Sequence, residues 1–408
     1  MKKYCFILCF SILLPLGLLS QELFQQYDKG VKLQQQGNHK AAIHVFSTII
    51  QKNRYYYEAY VGKGESYEVL KQYDSAVYNY GEAILSHPSY HQAYYKRAYL
   101  YYTIKKDNAK ALSDINNAID INPTYYDAYL LRGNIYQSQK KMEESVKDYT
   151  KAISLNDKEW QPYYQRAISF REINNYKNAI QDFTQVIKLN PTLTTAYIER
   201  ATLYQASHQY ELALQDYEKL ILLGEKSQEI YQEKAALQYE LKLYVEALYD
   251  YTKLITEFRN RKAEYFAKRG VCYIHVNDTI NAQRDFTRAI SLDRSNYKVY
   301  VYRAETHIQR NRIQLAMNDY NYAIRLNPKA WDIYLSRGKL QLEKKKYEEA
   351  ISDFSLAIKY NASSGEAYYY RGACKDALKD TKGACADLKK AAVLHHNEAE
   401  IRLNRYCR

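Results

Sequence analysis

An all-α fold built from repeated helix hairpins, a right-handed alpha-alpha superhelix (solenoid) of about eleven units, is what this sequence predicts. Three observations carry that prediction. One small residue recurs every 34 or 35 residues: Gly64, Ala98, Gly133, Ala167, Ala201, Ala235, Gly270, Ala304, Gly338 and Gly372, with Gly30 one period upstream. Each period holds two apolar stripes at i, i+3, i+4, i+7 spacing, the mark of two amphipathic helices. Glycine (13) and proline (6) are scarce for 408 residues, so no flexible linker or low-complexity tract divides the chain.

The elements follow in chain order. Residues 1–20 differ from everything after them. Lys2 and Lys3 precede an apolar run from Tyr4 to Leu19, and Ser20 follows. Basic start, apolar middle and small residue are the order of a secretory signal peptide, with cleavage expected after Ser20. An uncleaved anchor is the alternative, although 16 apolar residues fall short of the roughly 20 that a spanning helix needs. Neither Cys5 nor Cys9 follows a small residue, so no lipid-attachment site is expected. No later segment is long and apolar enough to span a bilayer. The mature chain is expected to be exported: periplasmic, outer-envelope-associated or secreted.

Residues 21–398 form the repeat region, with units starting near 23, 57, 91, 126, 160, 194, 228, 263, 297, 331 and 365. The unit at 162–190 shows the design. Its first helix presents Tyr163, Ala167 and Phe170, and its second presents Ala179, Phe183 and Val186. Asn174-Asn175-Tyr176 makes the turn between them. Asn190-Pro191 ends the second helix, because proline cannot continue it. Pro88, Pro123 and Pro328 stand at the equivalent point. The tail 399–408, AEIRLNRYCR, is expected to be a short capping helix, since a terminal repeat has one face without a neighbour.

These motifs resemble the tetratricopeptide repeat family. Its pattern is an aromatic, a Leu–Gly pair, an aromatic, then Ala, an aromatic and a proline. Tyr197, Ala201, Tyr204, Ala213 and Tyr217 match it in one unit; Phe266, Gly270, Tyr273, Ala282 and Phe286 match it in another. Gln26 replaces the first aromatic in the first unit, and Lys375 and Leu388 stand at aromatic places in the last. The resemblance implies a groove lined by first helices, where members of the family bind protein or peptide ligands. Exposed first-helix tyrosines are then candidates for ligand contact: Tyr95, Tyr99, Tyr102, Tyr164, Tyr302, Tyr369 and Tyr370. Leu130, Asn134 and Gln137 are expected to point into the same groove. A tyrosine stripe suits an extended peptide, or alternatively a carbohydrate or envelope polymer. Most of the 47 tyrosines are expected to be packing residues. The lysine/asparagine clamp that some family members use for a terminal carboxylate is not found.

One departure from the family pattern recurs. The place before the small residue, leucine in the family, is basic here: Lys63, Arg97, Arg132, Arg166, Arg200, Lys234, Arg269, Arg303, Arg337 and Arg371. Just before the second-helix aromatic stand Asp114, Asp148, Asp182, Asp216, Asp250, Asp285, Asp319, Asp353 and Asp387. Two places at nearly equal height on a helix hairpin predict a ladder of ion pairs, within a unit or between stacked units, formed by Arg132, Asp148, Arg166, Asp182, Arg200, Asp216, Arg303, Asp319, Arg337 and Asp353, with Asp148 proposed as the partner of Arg132 and Asp182 as that of Arg166. An arginine stripe for an anionic ligand is the competing reading.

Composition and motifs narrow the function. The net charge of +13 falls to +11 without Lys2 and Lys3 and shows no dense basic run, so no nucleic-acid partner is expected. Nucleophile-elbow, phosphate-loop and zinc-protease motifs are absent, so neither an enzyme nor a cofactor is expected. His87 and His91 have Pro88 between them, and His395-His396 suits a solvated helix end, so no metal site is expected. Cys374 and Cys385 lie about equally far from one turn, which predicts a disulfide, with packed thiols as the alternative. The expected function is a non-catalytic scaffold binding protein or peptide in its groove.

Overall fold

The computed structural model describes residues 21–407. The signal-peptide segment 1–20 lies outside the described residues. Every regular element among the described residues is a helix, and no strand occurs.

The chain divides into two compact units, the first ending at His208 and the second starting at Gln209. The first contains α1 (21–35), α2 (His39–Lys52), α3 (Tyr57–Val69), α4 (Tyr73–Ser86), α5 (His91–Thr103), α6 (Asn108–Ile121), α7 (Tyr126–Ser138), α8 (Met142–Leu155), α9 (Gln161–Glu172), α10 (Tyr176–Leu189) and α11 (Thr194–Ala206). The second contains α12 (Tyr210–Leu222), α13 (Gln228–Glu240), α14 (Tyr244–Thr256), α15 (Ala263–His275), α16 (Thr279–Leu292), α17 (Tyr297–Gln309), α18 (Ile313–Leu326), α19 (Trp331–Glu343), α20 (Tyr347–Tyr360), α21 (Gly365–Ala377), α22 (Thr381–Val393) and α23 (Asn397–Tyr406). Within each unit consecutive helices pack as hairpins, and each hairpin packs on the next. Successive first helices also meet, α5 with α7 and α7 with α9, α15 with α17 and α19 with α21. First helices therefore line the inner face of each stack.

Local chemistry explains the turns. Each first helix ends in one residue with positive φ, such as Lys71 (59°), Lys140 (59°), Asn174 (59°) and Lys345 (59°). At α3 the Gln72 amide donates to the Tyr67 carbonyl and the Lys71 amide to the Glu68 carbonyl. These two bonds are the Schellman arrangement, which satisfies the last carbonyls of a helix. Five second helices then start on side-chain caps: Asn38, Asp107, Asn175, Asp278 and Asp380 each accept from a first-turn amide.

Close packing explains the small residues. A Cβ on Gly133 would lie 2.6 Å from the ring of Tyr149, and one on Gly270 equally close to Phe286. The backbone of the first helix rests directly on that ring, and Tyr149 is fully buried. Tyrosine hydroxyls at repeat starts serve the turns. Tyr129 donates to the Pro123 carbonyl at 3.2 Å, Tyr197 to Pro191 at 3.2 Å and Tyr334 to Pro328 at 3.1 Å. Each ring fills core while its hydroxyl ties down the Asn-Pro loop that a phenylalanine would leave unbonded.

The C-terminus corrects one expectation. Cys385 is bonded to Cys407, with Cα atoms 5.6 Å apart, and Cys374 is a free buried thiol. Cys374 is on the core face of α21, packed with Tyr334, Phe354 and Ala367 toward the preceding hairpin. Cys385 lies on the opposite side of its hairpin, where α23 packs on α22. The cap starts at Asn397 rather than 399 and carries Cys407 back onto α22. Equal distance from the turn did not put Cys374 and Cys385 on facing sides.

Candidate functional site: the arginine ladder and the first-helix face

Seven arginines each grip one aspartate with two hydrogen bonds. Arg132 Nε and Nη2 donate to Asp148 Oδ2 and Oδ1 at 2.8 and 2.7 Å. The same fork joins Arg166 to Asp182 (2.7, 2.8 Å), Arg303 to Asp319 (2.9, 2.6 Å) and Arg337 to Asp353 (2.8, 2.5 Å). Arg97–Asp114, Arg269–Asp285 and Arg371–Asp387 repeat it. The aspartates are nearly buried, with side chains 3–8% exposed in these rungs. Arg200 and Asp216 fall in different units, and their pairing stays an expectation.

The third guanidinium nitrogen reaches the previous repeat. Arg132 Nη1 donates to Asn116 Oδ1 (2.8 Å), Arg166 Nη1 to Thr150 Oγ1 (2.9 Å), Arg337 Nη1 to Asn321 Oδ1 (2.6 Å) and Arg371 Nη1 to Ser355 Oγ (3.1 Å). Each acceptor stands two residues after the previous repeat's aspartate. This place was missed from the sequence, although its recurring short polar residues mark it. Aromatic faces complete the sandwich: Arg166 lies over Tyr163 and Phe170, and Arg132 over Tyr129. Arg132, Arg166, Arg337 and Arg371 thus bond their own hairpin and the previous one through all three guanidinium nitrogens, so the ladder ties hairpins together.

Two rungs depart, with a visible cost. Lys234 gives Asp250 a single bond at 2.7 Å, and Asp250 Oδ1 is buried without a partner. Lysine is a point charge and cannot fork. In the α3–α4 hairpin Asn79 replaces the aspartate opposite Lys63; Asn79 Oδ1 is buried and unbonded, and burial pushes the Lys63 ammonium pKa down. An unsatisfied buried acceptor costs about 1–3 kcal/mol.

The tyrosine candidates mostly pack between repeats. Tyr95 packs at a tilt against Tyr125, and burial pushes its hydroxyl pKa up to about 12. Tyr102 donates to the Asn134 carbonyl, and Tyr164 meets Trp160 and Phe183 edge-on. Tyr302 stacks on Phe286 and Tyr370 on Phe354. Tyr369 is covered by the cap, stacked on His396 with Arg402 over its ring. Asn134 accepts from Tyr149, and Gln137 donates to Gln165 O and Ser169 Oγ of the next first helix. Leu130 packs into the adjoining core. Only Tyr99, 42% exposed, stands out among the seven.

Tyr99 borders a cleft of about 530 Å³ between first helices α3 and α5. Val69 (60% exposed) and Ile104 (42%) share its rim, and the Glu65–Lys96 ion pair at 2.9 Å crosses it. An apolar lip with fixed charges of both signs can grip an extended chain through side chains and backbone together. Among the described residues no group of His, Cys, Asp and Glu could hold a metal, and no helix is long and apolar enough to cross a membrane.

Comparison with known proteins identifies the family. Tetratricopeptide repeat models match residues 27–85, 126–159, 161–193 and 303–366. The chain is a tetratricopeptide repeat protein. Solved structures with a similar fold include a tetratricopeptide repeat protein from Parabacteroides merdae, 22% identical over 62% of this chain and 98% of that one, with TM-score 0.38. Yeast Tom70 is 15% identical over 93% of each chain, TM-score 0.39. YrrB, described as a TPR protein with an unusual peptide-binding site, is 20% identical over 48% of this chain and 97% of its own, TM-score 0.41. These likenesses concern the fold alone. No curated protein matches the chain. As a tetratricopeptide repeat protein it departs from the family pattern mainly in the ladder, which puts an ion pair where that pattern has leucine.

Proposed function

We propose that this tetratricopeptide repeat protein is an exported, non-catalytic scaffold that binds a protein or peptide segment on its first-helix face. One observation carries the reading: Val69, Tyr99 and Ile104 leave apolar surface exposed around a cleft between successive first helices. Elsewhere on that face the first-helix tyrosines are buried or half-buried in packing, and Tyr99 is exposed. Export is supported by the basic, apolar, small order of residues 1–20 and by the Cys385–Cys407 bond, which suits an oxidising compartment.

The test is selection of peptides from a displayed library on the mature chain, run beside a glycan array. Selected peptides are expected to bind the wild type and to lose affinity at least about tenfold with Tyr99→Ala, an aromatic anchor being worth about 2 kcal/mol or more. Binding to glycans with no selected peptide would replace this reading with carbohydrate recognition. Mass spectrometry of the secreted chain is expected to find Gln21 at its N-terminus; a retained Met1 would overturn cleavage.

A further inference from the structure

One repeat place lies four residues after the ladder cation. It holds Tyr67, Tyr101, Tyr136, Phe170, Tyr204 and Tyr273 in six repeats. In three repeats of the second unit it holds Gln238, His307 and Gln341 instead. These three are 2%, 4% and 9% exposed, and each has a buried polar atom without a hydrogen-bond partner: Gln238 Oε1, His307 Nδ1 and Gln341 Oε1. Rings at this place lie against the ladder, Phe170 under Arg166 and Tyr273 under Arg269. A glutamine is narrower than a ring and leaves space beside the ladder.

At Gln341 that space is a cleft of about 470 Å³ between α18 and α19. Ile313, Met317 and Leu340 form its apolar lining, and Lys344 and Lys346 stand at its edge. Lys344 makes no ion pair among the described residues, and Lys346 has only a 3.9 Å contact with Glu349. Three demands converge here. The carboxamide needs a hydrogen-bonding partner, the lining needs an aliphatic group, and the lysines need an anion. Adjacent residues of a peptide, about 3.8 Å apart, supply all three. A neutral sugar supplies no anion.

We propose that the cleft between α18 and α19 is a second binding site, for an acidic linear peptide segment. Its backbone amide bonds the Gln341 carboxamide, an aliphatic side chain enters between Ile313, Met317 and Leu340, and a flanking Asp or Glu meets Lys344 and Lys346. The proposal rests on the peptide-binding reading above but uses a different surface.

The experiment is fluorescence anisotropy on the whole mature chain. The probe is a labelled peptide with blocked ends, one leucine flanked by Asp and Glu; the control has lysines in place of the acids. Gln341→Phe restores the ring that other repeats carry, so it fills the cleft while keeping the fold, checked by an unchanged or higher Tm. It is expected to weaken the acidic peptide at least about tenfold, the scale of one lost buried hydrogen bond. Lys344→Ala with Lys346→Ala is expected to weaken it similarly and to flatten its salt dependence. Tyr99→Ala is expected to leave it unchanged. Equal binding of acidic and basic peptides, or undiminished binding to Gln341→Phe, overturns the site. Loss with Tyr99→Ala alone moves the peptide to the α3–α5 cleft and overturns this inference only. No binding of the acidic probe, while library peptides still bind, likewise overturns this site and leaves the scaffold reading intact.

Discussion

Removing Asp182 should cost more than removing the whole rung to which it belongs. Arg166 holds Asp182 by bonds of 2.7 and 2.8 Å, with Thr150 as third acceptor and two rings against the guanidinium. The side chains are 17% and 8% exposed, so neither charge can turn to water without disturbing the hairpin. Asp182→Ala leaves a guanidinium desolvated and unpaired, a loss of about 3–5 kcal/mol. Arg166→Ala strands the carboxylate, which can take up a proton, and also deletes the stacked ring contacts; about 3 kcal/mol is expected. The double mutant strands no charge and should lose only about 3–4 kcal/mol, giving a coupling energy of about 2–5 kcal/mol. Urea unfolding followed by circular dichroism measures all three at constant slope. The volume-keeping pair Arg166→Met with Asp182→Leu should stay within about 1 kcal/mol of wild type, because desolvation offsets most of the attraction. A coupling energy near zero would refute the ladder as a cooperative unit and leave the short distances without energetic meaning.

Two further substitutions test neighbouring features. Lys234→Arg should reach the unbonded Asp250 Oδ1 and add about 1 kcal/mol, seen as a Tm rise of about 2–4 °C; a fall would mean that the site has no room for a fork. Cys385→Ser opens a link across 22 residues and should cost about 3 kcal/mol, with faster amide exchange concentrated in α23. Cys374→Ser should leave the disulfide intact by mass before and after reduction.

The fold was legible because a 34-residue period fixes both helix spacing and hairpin order, and the small residue under each ring needs no long-range information. The Arg–Asp spacing of 16 or 17 residues was readable for the same reason, since both members lie on one hairpin. What could not be read depends on neighbours outside the hairpin. Asn116 and Thr150 become acceptors only when the next repeat stacks at one particular height. Cys407 finds Cys385 because of how α23 folds back, which no period describes. The tyrosine stripe misled for a physical reason. A tyrosine at a first-helix place has the same spacing whether it faces solvent or lies against the next hairpin, and Tyr95, Tyr102 and Tyr370 take the second course. Periodicity finds the face of a helix, while exposure depends on what its neighbour repeat leaves uncovered.

The ladder aspartates also differ in how they titrate, and the cause can be isolated. Burial pushes the pKa of Asp182, Asp285 and Asp353 above the ordinary carboxylate value, against the pull of one arginine each. At Asp387 burial acts in the same direction, but Arg371 and Lys375 together outweigh it, and the net shift is downward. Lys375 Nζ sits 2.8 Å from Asp387 Oδ2, at the repeat place that holds rings elsewhere. The sign of each shift sets its effect on stability. A raised folded pKa means that the native state holds the proton more tightly than the unfolded chain, so these three rungs favour folding more as pH falls toward their range. Asp387 does the reverse: its contribution is present above the unfolded value and is lost as pH falls through its depressed folded pKa. Lys375→Met removes one of its two cations and keeps the aliphatic bulk. Carboxyl-carbon NMR titration should then show Asp387 moving from below the ordinary value toward that of its one-arginine counterparts. Acid unfolding of the C-terminal hairpin should lose the part of its pH dependence that Asp387 supplies. An unmoved Asp387 in Lys375→Met would show that Arg371 alone overcomes burial, and the difference between this rung and the other three would then need a cause other than the number of cations.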